Sequence, residues 1–205
     1  RDLHSFPTRR SSDLEPDTIF SSDGVSADPP GFLAAAAAHM RAAGGLFIAD
    51  EVQPGFGRTG HGMWGFQRHG VIPDLVTMGK PMGNGHPVSA LVARPEVIAD
   101  FARQTRYFNT FGGNTVACAV ALAVLEVIEG EQLIANAREV GGYLFRGLQS
   151  LAPRHATFGE IRGAGLFIGA QVRGSEARGT TAKAETTRIV NALRQRPVLD
   201  RKSVV

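Results

Sequence analysis

Apolar residues in this chain fall into short unbroken runs, set between helix-spaced segments and glycine-rich polar stretches. Leu46 to Asp50 (LFIAD), Asp74 to Met78 (DLVTM) and Val88 to Ala93 (VSALVA) are too brief for helices, and each predicts a buried strand. Pro30 to Gly44 is alanine-rich, with proline near its start and Gly44–Gly45 at its end, which predicts a helix with a glycine stop. Pro95 to Arg103 opens on proline and spaces Val97, Ile98 and Phe101 as a helix would. Thr115 to Glu129 (TVACAVALAVLEVIE) is apolar almost all round, so a helix buried on every side is expected. Glu131 to Leu151 predicts a long amphipathic helix. After Pro153 the texture changes. Phe158 to Arg162 and Leu166 to Val172 read as strands around Gly163 and Gly165, Gly174 to Thr181 as a polar loop, and Ala182 to Arg196 as a helix. The alternation predicts an α/β fold with a largely parallel sheet over residues 15–151 and the start of a smaller α+β domain over 152–199. No internal repeat appears.

The two ends stand apart from this pattern. Ser5 to Leu14 reads SFPTRRSSDL and Asp200 to Val205 reads DRKSVV. Opposite strands of one oligonucleotide, resembling a sequencing adapter, encode both peptides. Residues 1–14 and 200–205 are therefore set aside from fold reasoning, and the remainder is expected to be an internal fragment of a longer protein. Those ends hold Arg1, Arg9, Arg10, Arg201 and Lys202 against Asp2, Asp13 and Asp200, so the formal charge of +3 becomes +1 without them. No basic surface is left to argue for nucleic acid or an anionic membrane. No run of about 18 apolar residues occurs, which argues against a membrane-spanning helix. A single cysteine, Cys118, excludes an internal disulfide framework and points to a reducing cytoplasm; within its apolar helix it is expected to be an inert core residue. The 25 glycines are well above average usage and predict many tight turns.

Two constellations carry candidate chemistry. Gly55-Phe56-Gly57-Arg58-Thr59-Gly60 matches G-x-G-x-x-G, and Asp74 lies 19 residues after Gly55. A dinucleotide site requires such a motif to leave a strand and open a helix directly. Here Asp50 to Pro54 intervene, and His61-Gly62-Met63-Trp64-Gly65 is a poor helix start, so the glycines are read as loop conformation. The second constellation is Asp50, at the carboxyl end of one predicted strand, and Lys80, just past the next. Ligands of open α/β sheets bind at those ends. Lys80 is one of three lysines, and it lies in Gly79-Lys80-Pro81-Met82-Gly83-Asn84-Gly85 among small residues. A partly buried lysine with a depressed pKa can condense with an aldehyde, and a buried aspartate can keep a pyridine nitrogen protonated. Spacing alone leaves open an ordinary ion pair between Asp50 and an arginine, with Lys80 a plain loop lysine. His61 and His86 have no metal-ligand spacing and read as loop residues.

Ile48-Ala49-Asp50-Glu51-Val52-Gln53, then Gly55 to Gly60, then Pro73-Asp74-Leu75-Val76-Thr77-Met78-Gly79-Lys80 resembles the signature of class III pyridoxal-phosphate aminotransferases. Phe108 to Asn114 (FNTFGGN) and Arg162 to Phe167 (RGAGLF) resemble two later motifs of that family, in the same order. The resemblance covers about residues 17–199. It implies the large domain of a fold type I pyridoxal-phosphate transferase with the beginning of its small domain. Lys80 is implied as the lysine bonded to the cofactor aldehyde and as the proton shuttle, and Asp50 as the partner of the pyridine nitrogen. Val52 would pack on the ring face and Gln53 would reach the ring hydroxyl. Thr110 would contact the cofactor phosphate of a neighbouring subunit, which implies a homodimer. Trp64, Phe66 and Tyr107 read equally as substrate-entrance and as core residues.

One segment departs from the family pattern. Where many members carry a glutamate-containing strand, this chain has Thr18 to Gly24 (TIFSSDG), which weakens inference about substrate. The upstream phosphate-cupping turn and a far C-terminal carboxylate-binding arginine are absent, as a truncated chain predicts. The expected reaction is transamination between an amine or amino acid and a 2-oxo acid. Met78 to Pro87 and Tyr107 to Gly113 resemble the branch holding alanine–glyoxylate aminotransferases and ethanolamine-phosphate phospho-lyases. Phosphate elimination from an amino-alcohol phosphate is thus the alternative, and a non-catalytic dimerising fragment is the third reading.

Overall fold

The computed structural model describes residues 13–22 and 24–196. Its element order is α1 (Phe32–Ala42), β1 (Ile48–Asp50), β2 (Leu75–Met78), β3 (Ala90–Ala93), α2 (Pro95–Gln104), α3 (Thr115–Gly130), α4 (Leu133–Leu151), β4 (Phe158–Ala164), β5 (Phe167–Val172) and α5 (Ala182–Arg194). Every element expected from the apolar pattern forms, with ends shifted by a few residues at most. β1 and β2 are parallel, with Ile48 opposite Leu75 and Asp50 opposite Thr77. β3 runs antiparallel to β2, with Met78 opposite Ala90. On the free side of β1, Leu14 bridges Phe47 and Asp17 bridges Asp50, both in parallel sense. The Leu46 N–H donates to Asp13 Oδ1 over 2.9 Å and the Ile48 N–H to the Leu14 carbonyl over 2.9 Å. Leu14, set aside on sequence grounds with the residues before it, therefore bridges to the residue just before β1, and Asp13 bonds there through its side chain. The other set-aside residues, 1–12 and 200–205, lie outside the described ones.

The sheet is covered by α1. Leu33 and Ala37, one turn apart, bury against Phe47, Ala49 and Val71, while Leu14, Phe66 and Val76 close the rim of this cluster. Phe47 and Ala49, which share one face of the strand, have no exposed surface, while Ile48 and Asp50 on the other face are half-buried. Burying Phe47 alone stabilises the fold by about 2 kcal/mol. Asp74 leads into β2 and ties three elements together. Its carboxylate accepts from the Phe47 N–H over 2.9 Å and pairs with Arg41 at 3.1 Å and Arg94 at 3.3 Å. Burial alone would raise its pKa, but Phe47 and the two arginines outweigh that and lower it. An acid spent on two arginines is not a ribose ligand, and the stretch Gly55 to Gly60 opens no helix. The dinucleotide reading fails on both counts.

His69 locks α1 to the sheet edge. Its Nδ1 accepts from the Gly31 N–H over 3.2 Å, so Nε2 carries the proton and donates to the Thr18 carbonyl over 3.1 Å. The ring is buried and stands edge-on to Phe32. Burial lowers its pKa below the ordinary 6.5. The unfolded chain therefore binds this proton more readily than the folded one, and stability is lost as pH falls from about 6.5 through the folded-state pKa. Protonation sets two N–H groups face to face and removes the Gly31 bond, worth about 1 kcal/mol. His69→Gln, which can accept and donate in the same places, is expected to flatten this acid limb in denaturant melts between pH 5 and pH 8 (a range of roughly one to two pKa widths).

Helix α3 corrects an expectation. Asn114 caps it, accepting from the Ala117 N–H over 2.9 Å. Yet only Ala117 and Ile128 are buried; Val116 and Leu122 are 63% and 56% exposed, and Cys118 is exposed rather than in a core. Among the described residues α3 meets chiefly α4 and the Lys80–Gly83 turn, which cover one side only. Apolarity all round a helix does not by itself place it in a core: the residues that turn away from α4 and the Lys80–Gly83 turn stay exposed.

The glycine stretch is explained by its neighbours. Gly60 lies so close to α4 that a β-carbon there would stand 2.7 Å from the Arg138 nitrogen, and Arg138 Nε donates to the Gly60 carbonyl over 2.8 Å. Gly141 of α4 faces Gly165 in the β4–β5 turn, whose carbonyl oxygen occupies the place of a β-carbon. The Leu166 N–H donates to Arg58 O over 3.0 Å, closing the three-way contact. Alanine normally favours a helix interior over glycine by about 1 kcal/mol. At Gly141 overpacking outweighs that gain, and Gly141→Ala is expected to cost about 2 kcal/mol in chemical denaturation. Gly147→Ala, also in α4 but with open space around it, is expected to stabilise. Beyond α4, β4 and β5 pair antiparallel as a separate sheet. Glu185 of α5 is buried there under Arg178, Thr180 and Arg188, whose hydrogen bonds, led by Arg178, pull its carboxyl down to about 2.

Candidate active site

Because β1 and β2 are parallel, their carboxyl ends leave the sheet at one edge, and both candidate residues depart from it. Asp50 is the last residue of β1, opposite Thr77; Lys80 follows Thr77 by three positions. Asp50 Oδ1 accepts from the Val52 N–H over 2.9 Å and from the Thr77 hydroxyl over 3.5 Å. Among the described residues Asp50 pairs with no arginine, so the simple ion-pair reading has no support. Lys80 begins a one-turn 3-10 segment through Gly83, closed by the Met82 N–H on the Gly79 carbonyl at 2.9 Å. Its φ of +34° lies in the left-handed region that a lysine adopts at a cost. The side chain is exposed, not partly buried as expected, because the turn projects beyond the sheet edge.

Val52 belongs to the same cluster. Its methyl carbons come within 3.8–3.9 Å of the point where a β-carbon on Gly79 would lie. The turn after β1 thus packs beside the residue that precedes Lys80. Gln53 is directed elsewhere: its Nε2 donates to the Ser21 hydroxyl, which in turn donates to Asp17 Oδ2. Asp17 also accepts from the Ile19 N–H over 3.0 Å and the Ser21 N–H over 3.1 Å. The segment that departs from the family pattern is therefore a carboxylate-centred turn lying against the Asp50 strand. Thr110 is exposed, in a turn that Asn109 holds by accepting from Phe111 and Gly112 N–H groups over 3.2 and 3.1 Å. This turn leads into α3, apart from the Asp50 cluster. Of the aromatic candidates, Phe66 joins the core, Trp64 stands edge-on to Phe56, and Tyr107 is 71% exposed.

Sequence reasoning quoted Glu51 without giving it a role. It has no exposed surface. Its Oε1 accepts from the Thr18 hydroxyl over 3.0 Å and the Phe66 N–H over 2.9 Å, and its Oε2 from the Gly65 N–H over 2.7 Å. Burial pushes its carboxyl up to about 7, against the downward pull of those three donors. The available signal was a second acid directly after Asp50, at the end of an apolar run.

The family model for class III aminotransferases matches residues 14–202. An Arabidopsis thaliana protein named alanine–glyoxylate aminotransferase 2 homolog 2, mitochondrial, is 47% identical over 176 residues, 86% of this chain and 36% of that protein. A solved phospholyase from Arthrobacter, in complex with phosphoethanolamine, superposes with a TM-score of 0.84 at 46% identity, over 90% of this chain and 44% of that one. A taurine:2-oxoglutarate aminotransferase from Bifidobacterium kashiwanohense, solved with PLP and glutamate, has a TM-score of 0.80 at 28% identity, over 90% of this chain and 43% of that one. The chain spans about a third of the length of the curated relatives it matches.

Proposed function

The chain belongs to the class III aminotransferase family, and from that premise we propose that the protein carrying it moves an amino group between an amine or amino acid and a 2-oxo acid, using pyridoxal phosphate. The observation that carries the proposal is the departure of Asp50 and Lys80 from one edge of a parallel strand pair. The donor set fits the cofactor. Asp50 Oδ2 accepts no hydrogen bond among the described residues, leaving a carboxylate oxygen for a protonated ring nitrogen. The cofactor, when bound, supplies an electron-withdrawing ring that takes up the electron pair left when a substrate carbon loses its proton.

The residues of this chain do the rest. The Lys80 amine would hold the cofactor aldehyde and would carry the proton that leaves the substrate carbon. Asp50 keeps a proton at the ring nitrogen, held in place by the Val52 N–H and Thr77 hydroxyl. Val52 presents an apolar surface to one ring face. Gln53, whose amide also bonds to Ser21, would reach the ring hydroxyl. Thr110 donates to a phosphate oxygen in a neighbouring subunit, which makes the working unit a homodimer. We place the division into large and small domains near residue 152, where the second sheet begins. The cytoplasmic assignment rests on the lone cysteine. The relatives' names say mitochondrial, so localisation of a tagged full-length protein decides it.

The likeness to the Arthrobacter phospholyase favours one second reading, phosphate elimination from an amino-alcohol phosphate. Incubating a full-length protein carrying this segment with pyridoxal phosphate separates the two. Amino transfer from an amino acid to a 2-oxo acid supports the first; inorganic phosphate released from phosphoethanolamine without amino transfer replaces it with the second. Neither product, from a folded protein, overturns both.

A further inference from the structure

We propose that Glu51 is a positioning residue that sets the direction of the Asp50 carboxylate by tying three chain segments to the peptide that follows it. The inference rests on the role given to Asp50 above. Every polar group of Glu51 is engaged. Its N–H donates to the Thr77 carbonyl over 2.9 Å, and its carbonyl accepts from the Gly55 N–H over 3.2 Å. Its two carboxylate oxygens take the Thr18 hydroxyl and the Gly65 and Phe66 N–H groups. Thr77 thereby holds both residues of the strand end: its carbonyl takes Glu51 and its hydroxyl takes Asp50. A rotation of Glu51 would pass through one peptide to Asp50 on one side and to Val52, whose N–H holds Asp50 Oδ1, on the other.

The chemistry of the contact requires a carboxylate. Two of the three donors are backbone N–H groups that cannot turn into acceptors, so an amide in place of the acid would set its NH2 against one of them. Among the described residues no cation pairs with Glu51, and a buried acid without a counter-charge is expensive for a role that an apolar side chain could fill. Close packing leaves it little room to move. A β-carbon on Gly55 would meet the Glu51 carbonyl oxygen at 2.6 Å, and one on Gly65 would meet Pro54 at 2.9 Å.

The test is a double-mutant cycle on a full-length protein carrying this chain, read by titrating pyridoxal phosphate and following its bound absorbance. Glu51→Gln is expected to keep a cooperative thermal transition, weaken cofactor affinity about tenfold and lower kcat about tenfold with KM little changed. In an Asp50→Ala background the same substitution is expected to change affinity less than about twofold, because the group it positions is gone. Wild-type affinity in folded Glu51→Gln, or the same tenfold loss in both backgrounds, overturns the proposal. If Glu51→Gln does not fold, Thr18→Val removes one donor and is judged by the same criterion of a loss confined to the Asp50 background. A wild-type protein that takes up no pyridoxal phosphate overturns the proposed function and this inference with it; binding without the cycle's coupling overturns this inference alone.

Discussion

A full-length protein carrying Lys80→Ala is expected to lose transamination by on the order of a thousandfold or more, the range of a missing acid–base group compounded by a missing covalent anchor. It should also lose the cofactor that borohydride fixes to the wild type, and peptide mapping of the wild type should place that label on Lys80. Of the other lysines in this chain, Lys183 sits exposed in the first turn of α5, and Lys202 lies outside the described residues. Neither α5 nor its loop belongs to the sheet edge that presents Asp50. The strained φ at Lys80 adds a second expectation. Glycine relieves that strain but deletes the amine, so Lys80→Gly should match or exceed wild-type stability while sharing the catalytic defect of the alanine variant. A label on Lys183, or full turnover in Lys80→Ala, would sink the assignment.

What could be read in advance follows a physical division. Runs such as LFIAD and DLVTM are legible because each is an apolar stretch of about five residues, too short for a helix. The positions of Asp50 and Lys80 were legible for the same reason, since each marks where an apolar run stops. Their surroundings were not. Lys80 is exposed because its turn overshoots the sheet, and Gln53 reaches Ser21 because Asp17 folds the preceding segment into a turn. Neither follows from spacing. The loop character of Gly55 to Gly60 was legible from the absent helix start, yet its cause lies in α4 and the β4–β5 turn, roughly a hundred residues away in the chain. Glu51 was hidden by its charge, because an acid after a strand reads as the point where the chain meets water. Here it is the point where the chain turns inward.

Asp50→Ala tests the other half of the site, and its signature differs from that of Lys80→Ala. Lys80 remains, so the cofactor should still be fixed by borohydride, though held less tightly. Proton removal should slow by at least about two orders of magnitude, roughly 3 kcal/mol of barrier, because the charge that keeps the ring nitrogen protonated is gone. The fold should survive. The Asp50 carboxylate makes only the Val52 and Thr77 contacts among the described residues, and its main-chain N–H on the Pro16 carbonyl at 3.0 Å is untouched by alanine. The loss should therefore appear in kcat and in a primary isotope effect on the substrate α-proton, with little change in the thermal midpoint. Asp50→Asn sharpens the comparison: it keeps the size and the Val52 contact but not the charge, and should fall as far as alanine. Wild-type turnover in the asparagine variant would mean that Asp50 serves to close the β1 turn, and that the charge at the ring nitrogen comes from another residue.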